Sequence, residues 1–256
     1  MGTEAHYTPT QWATAFTESD YMCKPFKVVT VNDRAATRQA IIDQVQKQGV
    51  KFVERSTWDA HRHKPDSAVN DWDYQSIALH HAGNSFSCSA NSVEQMQRVE
   101  TIDMGSFNQI SYHYAIDCQG VVYEALDIRF KGSHIEGGNT GVVGIVFLAD
   151  LSVRGEAQRY GPGAWNVTVK RGVVAGLKEW IGQEKDKGAV KHDEPTEPQL
   201  AAAEALIKSL TEFFKITKLG GHREFAMTHG SSRACPGIYG MIIANQMRKA
   251  FNLAPP

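Results

Sequence analysis

Apolar positions along the chain switch between every second residue and every third or fourth, and this alternation predicts a mixed α/β fold. KVVTV (27–31) reads as a strand, and Asn32-Asp33 then caps a helix that carries Ile41, Ile42 and Val45 and stops at Gly49. QSIALHH (75–81) is β-rich, and NSVEQMQRVETIDM (91–104) places Val93, Met96 and Val99 on one side of a helix. ISYHYAID and VVYEA form a hairpin through Cys118-Gln119-Gly120. VVGIVFLAD (142–150) is nearly continuous apolar sequence, as expected of a central strand covered on both faces. Thr196 and Gln199, with Pro198 in the first turn, make a capping box for a helix with a stripe of Leu200, Ala203, Ile207, Leu210 and Phe214. A last helix is expected from Pro236 to Phe251. The fold class is therefore α/β, a mixed central β-sheet flanked by helices.

No period of 20–50 residues recurs, which excludes a solenoid or propeller. Residues 1–50 read as an N-terminal extension, a small satellite, ahead of one domain over 51–256. Within that domain 151–192 reads as a surface insertion, with Gly161-Pro162-Gly163, a helix around Val173 to Ile181 and the charged run EKDKGAVKHDE.

Composition narrows the function classes. Hydrophobic residues make up 42% and charged residues 21%, enough for a sizeable core. A net charge of -1 supplies no field to neutralise a phosphate backbone, so nucleic acid is not an expected partner. No apolar run reaches the roughly 18 residues of a membrane span. MGTEAHYTPTQWATAFTESD lacks the basic start and apolar stretch of a secretory signal, so work outside the cytoplasm would require another delivery route. The four cysteines suggest one reactive or metal-bound thiol over two bridges, with a Cys88 to Cys118 pairing left open.

The chemistry gathers around GGHREFAMTHGSSRACPG (220–237), read as a Gly-rich loop. Pro236 suits the first position of a helix, so Cys235 stands at a helix N-terminus, where positive potential favours the metal-binding thiolate. His222 lies in the same stretch, and His80-His81 ends an independent strand. Two imidazoles and a thiolate leave one tetrahedral position for water, the pattern of catalytic zinc; magnesium and calcium would want oxygen. Spacing alone does not single these residues out among ten histidines.

A resemblance does. ERSTWDA (54–60), SIALHHAGNS (76–85), NQISYHYAIDCQGVVYEA (108–125), GSHIEGGNTGVVGIVFLAD (132–150), PTEPQLAA (195–202) and GGHREF with RACPG resemble, in order, the peptidoglycan recognition protein and zinc-dependent N-acetylmuramoyl-L-alanine amidase family. The resemblance implies Zn2+ held by His80, His222 and Cys235, with Tyr112 and Arg233 as catalytic residues. Periodicity alone would make Tyr112 a packed strand aromatic and Arg233 a solvated loop cation. His134, Asn139 and His81 are placed with the substrate by the same resemblance, His81 from the opposite face of an ideal strand, where it packs or supports a ligand. Gly137, Gly138 and Gly141 would allow close backbone approach. Val146 stands where the recycling branch carries Glu, and the interval from His222 to Cys235 is longer than the family's usual loop. His229, inside that interval, is expected to cover the site, touch substrate or compete as a ligand.

What the resemblance implies is hydrolysis of the amide between N-acetylmuramic acid and L-alanine in bacterial peptidoglycan. The additions at the front and at 151–192 suggest an antibacterial effector, delivered by a machine such as type VI secretion into a target's periplasm and paired with an immunity protein. A non-catalytic binding module is the alternative, as is an endolysin or recycling amidase of the same chemistry.

Overall fold

Val142–Phe147 is a strand buried along its whole length, with a neighbour on either side. The structure, a computed structural model of the 256-residue chain, describes residues 10–13, 28–31, 33–61, 64, 68–83, 88–89, 91–161 and 193–256. Among these, β1 (Thr10–Ala13) and β2 (Val28–Val31) pair antiparallel as a separate two-stranded sheet. The main sheet contains β3 (Phe52–Val53), β4 (Ser76–His81), β5 (Tyr114–Ile116), β6 (Val122–Glu124), β7 (Val142–Phe147) and β8 (Lys218–Gly221). Their order is β3-β6-β5-β7-β4-β8, parallel throughout except for the β5-β6 hairpin. That hairpin closes at the expected residues: Asp117 Oδ1 accepts the N–H groups of Gln119 and Val121, and Gly120 takes a positive φ.

Six helices accompany the strands in the described residues: α1 (Asp33–Lys47), α2 (Ser92–Phe107), α3 (Glu156–Tyr160), α4 (Glu197–Phe213), α5 (His222–Thr228) and α6 (Gly237–Phe251). The capping box is present, with Thr196 Oγ1 accepting from Gln199 N at 3.2 Å and Gln199 Oε1 accepting from Thr196 N at 3.1 Å. Ala203, Ile207 and Leu210 then face one side of the sheet together with α1 and α6, against Ile77, Leu79, Val143, Ile145 and Phe147. Met96 and Val99 of α2 cover the other side, against Ala115, Tyr123 and Val146. That second side carries the site, because Ala78, His80, Gly144 and Val146 alternate onto it.

Three expectations need correction. Within the expected extension 1–50, the helix Asp33–Lys47 is not detached, since Ile41, Ile42 and Val45 are buried in the main core. Residues 151–161 are not a surface insertion either: Leu151, Ser152 and Glu156 are buried against α5 and α6. The helix expected at Val173 to Ile181 and the EKDKGAVKHDE run lie outside the described residues. The stretch 220–237 is also less of a loop than its glycines imply, because it comprises the end of β8, all of α5, a turn and the start of α6.

Candidate metal centre

Sheet register explains how residues far apart in the chain come together. β4 and β8 run parallel with Leu79 opposite Gly221, so His80 and His222 are the next residues of adjacent strand ends, with ring centroids 4.7 Å apart. The turn after α5 returns Cys235 to the same corner, where its Sγ lies 3.6 Å from His80 Nδ1. One ligand atom from each of His80, His222 and Cys235 falls within 4.8 Å of the other two. This donor set of two imidazoles and one thiol fits zinc by chemistry and proximity.

Hydrogen bonding fixes which nitrogen of His80 is available. His134 Nε2 is 3.3 Å from the Val142 carbonyl, which can only accept, so that nitrogen carries the proton. His134 Nδ1 is then bare and accepts from His80 Nε2 at 3.0 Å, which leaves His80 Nδ1 with its lone pair toward Cys235. Burial, reinforced by neighbouring imidazoles, holds both rings well below the ordinary histidine range, so both are neutral. The relay needs space: a Cβ on Gly132 or Gly144 would stand 2.5 or 2.7 Å from the His134 ring.

His222 is neutral as well, its pKa pushed down to about 3, first by burial and then by Arg233 and His81. Cys235 departs from expectation. Burial drives its thiol up to about 12, outweighing the lowering by the His81 backbone, Arg223 and Arg233. The helix end does not by itself generate a thiolate; a bound cation would have to do so.

Tyr112 stands beside the cluster, its ring centroid 4.9 Å from that of His80. With Ala82, Arg98, Val99, Ile102, Asp103 and Val146 it lines a small groove against α2. Burial raises its pKa further above 10, which keeps the phenol protonated. Val146 is the register partner of His80, so an apolar side chain occupies that position beside the metal corner. Arg233 is half-buried and pairs with Glu136 Oε2 at 2.7 Å, joining the turn that bears Cys235 to the 135–141 loop.

Hydrogen bonds and packing place the other site residues around this cluster. His134 is buried, and both its ring nitrogens are engaged. Asn139 Oδ1 accepts the N–H groups of His134 and Ile135 at 2.8 and 2.7 Å, so it shapes the loop backbone. His81 Nδ1 accepts from Leu151 N at 3.1 Å and lies 3.5 Å from Asp150, so its ring supports the chain behind the ligands. His229 is absent from the ligand cluster; it is exposed and packs over Gly138, where a Cβ would approach its Nε2 to 2.2 Å. Sequence reasoning missed Asp103, Glu156 and Arg223. The GHR adjacency could have flagged Arg223, whereas no local pattern points to Glu156.

Fold and site define an α/β domain whose parallel strand ends carry a His, His, Cys cluster suited to a metal beside a tyrosine. The chain belongs to the N-acetylmuramoyl-L-alanine amidase family, whose model matches residues 70–238, more than half of its length. Peptidoglycan-recognition protein SC2 of Drosophila melanogaster is 27% identical over 106 residues, 41% of this chain and 58% of that protein. Peptidoglycan recognition protein 3 of Homo sapiens is 30% identical over 100 residues, 38% of this chain and 29% of that protein. The chain thus spans little more than half the length of the first of these relatives and under a third of the second. Among solved structures, Drosophila peptidoglycan recognition protein SD superposes with a TM-score of 0.53 at 20% identity, covering 80% of this chain and 97% of that one. The N-acetylmuramoyl-L-alanine amidase LysC of Clostridium intestinale gives 0.52 at 17% identity, covering 80% and 99%. At these identities the superpositions establish the fold.

Proposed function

We propose that the protein is a zinc-dependent amidase that hydrolyses the bond between N-acetylmuramic acid and L-alanine in peptidoglycan. The observation that carries this reading is the convergence of His80, His222 and Cys235 to within 4.8 Å beside the Tyr112 ring. A pure binding module would need no such donor set, and His229 does not supply a fourth protein ligand.

His80 through Nδ1, His222 and the Cys235 thiolate would hold the zinc ion. Zinc held there would supply a Lewis acid to polarise the scissile carbonyl and to lower the pKa of water to roughly 7. The chain's own groups do the rest. The protonated Tyr112 phenol donates a hydrogen bond to the oxygen on which charge develops, and its neutral form at working pH suits a donor more than a base. The Arg233 guanidinium, held at the rim by Glu136, contributes fixed positive charge to the same region. Val146, Val99 and the Ala82 methyl supply apolar lining to the groove that Tyr112 shares.

Action in an oxidising compartment follows in the same proposal, supported by the disulfide between Cys88 and Cys118. A periplasmic target reached by a secretion machine, with an immunity protein as antagonist, accords with it. Among the described residues, no helix is long and apolar enough to cross a membrane. The test is mass analysis of purified sacculi after digestion, with and without chelator and with Cys235→Ala. Stem peptides with a free L-alanine amino terminus should appear only with metal and the intact cysteine. Their absence from the wild-type digest, or their persistence in the Cys235→Ala digest, would overturn the reading.

A further inference from the structure

Cys235 is the ligand carried by a turn, and a buried ion pair holds that turn. The backbone N–H of Arg223 donates to Cys235 O at 2.8 Å, and Arg223 Nη2 donates to Ala234 O at 2.6 Å. One arginine therefore fixes the peptide groups on both sides of the Cys235 Cα and leaves side-chain rotation as the main freedom of Sγ. The same Nη2 donates to Glu156 Oε1, and the guanidinium lies over the Tyr160 ring, 3.8 Å from its centroid. Glu156 Oε2 accepts the N–H groups of Val153 and Ile238, each at 3.0 Å, the second at the start of α6 immediately beyond the turn.

Both members of the pair are buried, Glu156 at 3% and Arg223 at 9% exposure. Stability alone is a poor reason for such a pair, because well-packed apolar side chains of similar volume usually serve as well. The contacts lead instead to the turn. We propose that Glu156 and Arg223 are positioning residues that set the direction of the Cys235 sulfur toward His80 and His222, an inference that rests on the metal-site reading above. Arg223 orients the turn, and Glu156 orients Arg223 while anchoring the N-terminus of α6.

The test uses Glu156→Gln, which keeps an acceptor but removes the charge, and Arg223→Lys, which keeps the charge but is one bond shorter and lacks the planar guanidinium that lies over Tyr160. Wild type and variants are loaded with Co2+, whose thiolate charge-transfer absorption reports the bond to Cys235, and zinc affinity is measured by chelator competition. Melting of the metal-free proteins records the fold independently. The expected result is a 10–100-fold loss of zinc affinity with a weakened or displaced thiolate band, in proteins whose metal-free forms still melt cooperatively. Wild-type affinity and an unchanged band in both variants would overturn the proposal. So would a loss of affinity that merely tracks metal-free melting, with the band intact in whatever binds. If neither variant folds, Tyr160→Leu carries the test, since it removes only the ring beneath the guanidinium; a several-fold loss of affinity is expected, and none would overturn the idea. Absence of a thiolate band in wild type would instead remove the metal-site reading itself.

Discussion

His80 Nε2 and His134 Nδ1 lie 3.0 Å apart, and the Val142 carbonyl at the far side of His134 fixes the direction of the proton between them. The relay ties His134 to the candidate metal centre through His80. His134→Ala should lower zinc affinity by about 10–100-fold, because His80 is then free to rotate and to switch tautomer. Chelator competition measures this, and His134→Gln, which can still accept from His80, should recover part of the loss. Equal affinities in all three proteins would show the relay to be incidental.

Metal binding should release about one proton per protein between pH 6 and 8. Cys235, at about 12, is protonated in the metal-free fold and must lose its proton, whereas His222, at about 3, is already neutral. Apparent affinity therefore rises about tenfold per pH unit in this window. Calorimetry in buffers of different ionisation enthalpy counts the proton directly, and a count near zero would mean that the thiol is ionised beforehand.

Tyr112→Phe should reduce kcat by on the order of 100-fold while leaving zinc affinity within a few-fold of wild type. The phenol is argued to act on the developing oxyanion, and the ring alone keeps its packing against His80. Assay of muropeptide release beside a metal titration separates the two effects.

The metal-free fold should lose stability in mild acid. Burial holds His113 at about 4, against 6.5 when unfolded; its Nδ1 accepts from Gly144 N and its Nε2 approaches Phe130 O. A folded pKa below the unfolded one contributes stability that is complete above pH 6.5 and disappears as pH falls through about 4. For His113 this amounts to about 3 kcal/mol, and His80, His134 and His222 act in the same direction. Urea midpoints of metal-free protein at pH 7.0, 5.5 and 4.5 measure the slope; a flat profile would contradict it.

Reduction of the Cys88 to Cys118 bridge, which spans 30 residues, should lower stability by about 3 kcal/mol. Denaturant midpoints with and without reductant, and for Cys88→Ser with Cys118→Ser, measure the change.

Much of the scaffold was legible because its signals are local. The Thr196 to Gln199 box, the Gly120 turn and the unbroken apolar run of β7 each depend on neighbours in sequence. The resemblance selected His80, His222 and Cys235, and the structure brings them together. The roles of His134 and Asn139 could not be read in this way, since what decides them is the carbonyl and amide groups that face them across the sheet. The Cys235 titration was misjudged for a related reason: a helix N-terminus is visible in a Cys-Pro pair, but the burial that outweighs it is a property of the assembled fold. The burial of Ile41, Ile42 and Val45 in the main core is likewise a tertiary fact, invisible at a boundary drawn by composition.

The pairing of β4 with β8 joins an early segment of the chain to a late one, and the ligand corner lies at the end of that seam. During synthesis the three candidate donors cannot meet until the chain has emerged through Cys235 and Lys218–Gly221 has docked beside β4. On the proposed reading, uptake of an ion would mark the docking of this late segment, and a nascent chain ending before Lys218 would be unable to hydrolyse anything in the cell that makes it.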